Sequence, residues 1–141
     1  MTVRPRSLAL SLLLSGAALC ASAQEAQPAL KFADAMVVCN AQALFQHMYA
    51  QGKPLPGVPK AADYRELAYQ AAGKAYVDAR LESNKVRDEA MEQLETQLNT
   101  RPFETLTEKE RDDHMNATWS KIITACNAVA SAGVDGKKKA R

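Results

Sequence analysis

Apolar residues along this chain recur at spacings of three and four, and no segment alternates polar and apolar positions between turn residues. That periodicity predicts helices and no sheet. The first helix is expected to start near Pro28, which suits a first helical position, and to end before Gly52. Val37, Ala41, Leu44, Phe45 and Met48 form its main apolar face, while Cys39 falls on a second face with Phe32, Met36 and Ala43. Residues 52–59 hold Pro54, Pro56 and Pro59 and read as the inter-helix loop.

Over residues 60–99 the stripe is Tyr64, Leu67, Ala68, Ala71, Ala75 and Ala79, continued by Val86, Ala90, Leu94 and Leu98, and Asp63 with Glu66 resembles a capping box. Read as one helix, the stretch is about 60 Å long. Broken at Ser83-Asn84, it turns the fold into a four-helix bundle. The lack of glycine at that point favours a continuous or kinked helix. Arg101-Pro102 ends the segment, and Thr107 with Glu110 makes a T-x-x-E capping box for the last helix. The last stripe is Met115, Trp119, Ile122, Cys126 and Val129, with Gly133 as the stop. The fold expected is all-α, a small bundle or hairpin of three long helices, or four if the central one breaks.

The amino terminus changes how much chain this fold must use. Arg4 and Arg6 precede an apolar run over residues 8–19, and Ala21-Ser22-Ala23 is a small-residue cleavage site. We expect residues 1–23 to be a secretory signal cut between Ala23 and Gln24, residues 24–134 to be a single helical domain, and residues 135–141 to be a flexible basic tail. The apolar run is shorter than the ~20 residues of a membrane-spanning helix, so no transmembrane segment is expected. Cys20 would suit a lipoprotein, but Leu19 stands where such sites carry a small residue. The expected location is the periplasm or the exterior.

Cleavage also changes the charge and cysteine arithmetic. The 18 Lys and Arg exceed the 16 Asp and Glu only through Arg4 and Arg6, and four of the remaining positives sit in the tail at Lys137, Lys138, Lys139 and Arg141. Residues 24–134 are therefore mildly acidic, with no basic stripe interleaved with aromatics, which argues against nucleic acid. Two cysteines remain, Cys39 and Cys126, and in an oxidising compartment they are expected to pair. Such a bridge staples the terminal helices together.

Signs of chemistry are sparse. His47-Met48 and His114-Met115 repeat a dipeptide of ligand types that suit copper, but helical spacing equally makes Met48 and Met115 core residues. The acidic residues Asp88, Glu89, Glu92, Glu95, Glu104, Glu108, Glu110, Asp112 and Asp113 are of the type that supplies carboxylate ligands or an acid/base pair, but most of them read as solvated helix faces, with Glu108 and Glu110 favourable in the first turn of the last helix. No calcium loop, C-x-x-C-H or G-x-S-x-G pattern occurs, so no catalytic list and no cofactor are expected.

The segment Leu106-Thr107-Glu108-Lys109-Glu110-Arg111 resembles the LTxxQ box of the Spy-like envelope-stress chaperones, with Glu110 in place of the glutamine. The resemblance implies a small helical periplasmic cradle for unfolded envelope proteins, with no catalytic residues. The capping box accounts for the same residues. From the expected export, the disulfide-stapled helical body, the lack of a strong catalytic signature and more apolar helix faces than one bundle need bury, the function expected is binding of another envelope protein, as chaperone, adaptor or immunity-type inhibitor, by a monomer or homodimer. The alternative is a periplasmic metal-binding or metal-sensing protein using the His and Met residues.

Overall fold

The computed structural model describes the backbone of residues 17–50 and 58–139, and the side chains of residues 26–50 and 58–134. It is all-α, with α1 over Ala17–Tyr49, α2 over Ala61–Ala72, α3 over Lys74–Leu81, α4 over Asn84–Leu98 and α5 over Glu108–Lys139; a short 3-10 turn at Phe103–Thr105 precedes α5. Side-chain pairings give the directions. Phe32 lies against Gly133, Cys39 is bonded to Cys126, and Tyr49 reaches Asp112, so α1 and α5 are antiparallel. Asp34 accepts from both Tyr76 and Arg80, and Gln42 donates to the Ala90 carbonyl, so α2 and α3 run back along α1 and α4 runs forward again. The result is an up-down-up-down bundle whose second member is broken.

The favoured single helix over residues 60–99 is thus corrected twice. One break falls at the alternative site, where Ser83 caps α4 by accepting from the Lys85 amide at 3.3 Å. The other falls at Gly73, whose φ of 80° and ψ of 159° end α2. This conformation is open to glycine because it has no Cβ. The break resets the helical phase: Tyr64 and Ala68 are buried before it, but Val77 is buried after it while Ala75 and Ala79 are exposed. Asp63 is not the cap of α2 but the third residue of its first turn, accepting from the Lys60 amide at 3.0 Å.

Helix α1 is the axis of the bundle and touches all four other helices. Met36, Val37, Val38, Cys39, Asn40, Gln42 and Ala43 are all buried, which leaves this stretch little solvent-facing surface. The face expected to be its main one is only partly used, since Leu44 is 48% and Met48 72% exposed. Tyr64, in the first turn of α2, donates to Asn127 at 2.7 Å, next to bridge residue Cys126. Helix α2 therefore first meets α1 near the level of Cys39, and the turns carrying Leu44 and Met48 run on beyond it.

Helix α1 does not start at Pro28 but carries it internally. Helix-forming residues before it, among them Ala21, Ala23, Glu25, Ala26 and Gln27, extend the helix past the amide that proline lacks. The proposed signal falls largely outside the described residues, as do the side chains of Ala23 and Gln24, while the backbone there is helical. Pro54 and Pro56 also lie outside them.

Helix α5 opens with the expected box: Glu110 accepts from the Thr107 amide at 2.9 Å and from its hydroxyl at 2.7 Å, while the Glu110 amide donates to that hydroxyl at 3.4 Å. The Thr107 contacts hold the Glu110 carboxyl below its usual range. Trp119, Ile122 and Cys126 are buried as the spacing predicts, with Met115 half-buried and Val129 exposed. Gly133 is not the stop, because the helix continues to Lys139. A Cβ at Gly133 would stand 2.1 Å from Phe32 Cε2, so the missing side chain makes room for that ring.

Candidate functional site

The bond between Cys39 and Cys126 ties the middle of α1 to the middle of α5, with Cα atoms 5.7 Å apart and both residues buried. A cleft adjoins that clasp and is lined in part by both cysteines. Lys121 of α5 donates to Gln97 of α4 at 2.7 Å, and His114 Nε2 lies 2.9 Å from the Leu98 carbonyl. These contacts join the last turns of α4 to α5. From there back towards Glu89 and Val129 the cleft, of about 520 Å³, lies between the two helices, within the size range of binding pockets.

Each wall of the cleft comes from a different helix. Ala35, Val38 and Cys39 of α1 form the floor. Ile122, Ala125, Cys126 and Val129 form the α5 wall, at the i, i+3, i+4 spacing of one helix face. The α4 wall is polar and carries Glu89, Glu92, Gln93, Thr96 and Gln97. Gln93 is held by Gln42, whose Nε2 donates to Gln93 Oε1 at 3.4 Å and to the Ala90 carbonyl at 2.7 Å. Glu89 and Glu92 are exposed and have no hydrogen bond or ion pair among the described residues. The two cysteines, being bonded, offer no thiol. The arrangement thus presents an apolar floor, a row of small side chains opposite, and two unpaired carboxylates on one rim.

The residues considered for metal have other surroundings. His47 and Met48 are exposed on the last turns of α1, with Met48 72% exposed. Met115 packs against the cluster of Leu94, Trp119 and Ile122. The Tyr49 contact with Asp112, at 3.4 Å, brings His47 and His114 to the same end of the bundle. His114 is engaged there: a carbonyl only accepts, so its Nε2 carries a proton towards Leu98 in the last turn of α4, and Phe103 stands with its ring centre 6.4 Å away. Among the described residues no group of three or more His, Cys, Asp and Glu gathers as a ligand set.

The segment similar to the Spy-like box lies at the start of α5, where Leu106 is buried and Thr107 and Glu110 form the cap. It does not line the cleft. Sequence reasoning did not find the cleft because its signal is divided between α4 and α5. Glu89 and Glu92 look like any solvated face until α4 is seen beside Ala125 and Val129.

No protein-family model, curated protein or solved structure matches this chain.

Proposed function

We propose that this chain is an exported protein, periplasmic or secreted, that acts by binding another envelope protein and not by catalysis, and that it binds in the cleft between α4 and α5. The cleft itself is the observation that carries this reading. Its floor and α5 wall present apolar side chains, and the clasp between Cys39 and Cys126 secures those two surfaces against each other. A surface already held in its bound arrangement loses less conformational freedom on association. The disulfide also supports export, since such bonds persist in oxidising compartments, as does the basic-then-apolar amino terminus.

The test is site-specific photo-crosslinking in the envelope of living cells. A photoreactive residue at Ala125, in the cleft, is expected to give an adduct with a distinct protein. The same residue at Ala62, exposed on α2, is expected to give none. Identical patterns from both positions, or no adduct from either, would count against the reading. Within this class, a chaperone or adaptor suppresses aggregation of several unrelated substrates, whereas an immunity-type inhibitor retains one partner tightly. An aggregation assay on the oxidised mature chain separates them.

A further inference from the structure

We infer that the cleft selects an amphipathic helical segment whose apolar stripe is flanked on one side by Lys or Arg. This rests on the protein-binding reading above and specifies the partner's chemistry. The floor residues Ala35 and Val38, with Ile122, Ala125 and Val129 opposite, offer only apolar contact, so the buried side of the occupant is apolar. Glu89 and Glu92 stand three apart on α4, so their carboxylates rise from the same rim within one turn of each other. Basic residues three or four apart on a docked helix meet that spacing. An acidic flank would instead place like charges together at the rim.

The charge along the cleft also sets direction. Lys121 is the cation of the lining, and its bond to Gln97 places it at the Gln97 end, away from Glu89. A bound segment therefore points its basic turns towards Glu89 and Glu92 and leaves the Lys121 end neutral or acidic. Because the two carboxylates are exposed, their contribution is screened by salt. Selection by charge should weaken as ionic strength rises, while apolar docking persists.

The experiment uses the oxidised mature chain and three labelled synthetic peptides of about five helical turns. One carries a leucine stripe flanked by lysines, the second has glutamate at every lysine, and the third has the first one's composition scrambled so that no stripe forms. The lysine peptide should bind saturably, the glutamate peptide about tenfold more weakly, and the scrambled peptide not at all. In the double variant Glu89→Lys, Glu92→Lys the preference should reverse, so that the glutamate peptide binds more tightly. Unchanged circular dichroism of the variant shows that the fold is intact.

Equal affinity for the lysine and glutamate peptides, a preference that survives the double variant, or no saturable binding would overturn the inference. If Ala125 still crosslinks to a partner in cells, charge selection fails alone and the protein-binding reading stands. If that crosslink is also absent, both fail. A mass that doubles with concentration, with Ala125 crosslinked to residues 137–141 of another copy, would make a second copy the occupant and also overturn the assignment.

Discussion

At φ 80° and ψ 159° the Gly73 backbone lies where a Cβ is strongly disfavoured, yet no heavy atom stands within 4 Å of the place that Cβ would take. Gly73→Ala should therefore cost about 1–3 kcal/mol through the backbone alone. Semisynthetic D-Ala at the same position should not be destabilising, and urea midpoints of the two proteins check this. At Gly133 the balance is opposite. The helix would gain up to ~1 kcal/mol from alanine, but the new Cβ would meet the Phe32 ring at 2.1 Å. Gly133→Ala should lower stability by about 1–3 kcal/mol in the native background and raise it in a Phe32→Ala background, which removes every ring atom near the new Cβ, read as a thermal double-mutant cycle. Tyr64 gives a third residue-level test. Burial first, and then the charge of Asp63, push its phenol up to about 12 from an ordinary value of 10.0. The fold favours the neutral form, so this contribution is complete below pH 10 and is lost as pH rises towards 12. The other three tyrosines are also raised, so the urea midpoint should be compared with that of Tyr64→Phe. The variant should lose less between those two pH values.

Elements were legible wherever their signals were local. Thr107 and Glu110 announce the start of α5 by residue type and spacing, and the reciprocal bonds are present. Thr107→Ala should cost about 1 kcal/mol, measured as a lower melting temperature, with Thr107→Ser retaining most of it. The stripe Trp119, Ile122 and Cys126 was equally plain, because three large or bonded side chains on one face leave little ambiguity. Glycine was the harder residue to read, since it serves several unrelated ends. Gly73 breaks a helix in an apolar pattern that runs straight through it, and Gly133 lies within a helix it was expected to end. The backbone angle at the first and the ring against the second are tertiary facts. The faces of α1 were misjudged for a related reason. Periodicity shows which residues share a side, but how far α2 extends along that side decides whether Leu44 and Met48 are covered.

At the scale of the molecule the cysteine pair was the most informative sequence feature, because setting aside Cys20 in the proposed signal leaves Cys39 and Cys126 as the one possible pair, and the two are bonded. Its 87-residue separation makes the bond a strong restraint on the unfolded chain, worth roughly 4–5 kcal/mol in the chain-entropy model. Cys39→Ala with Cys126→Ala should lower the urea midpoint accordingly, and an unchanged midpoint would remove the staple from the account of stability. The cleft was not legible, because α1, α4 and α5 each supply part of its lining, and no single segment encodes that relation. The same bridge has a further consequence for how the molecule survives damage. A protease that severs one peptide bond between residues 39 and 126 releases no fragment, since the two pieces stay linked through sulfur. A nick in the connection between α1 and α2 would leave the protein running as one species on a non-reducing gel and as two only after reduction.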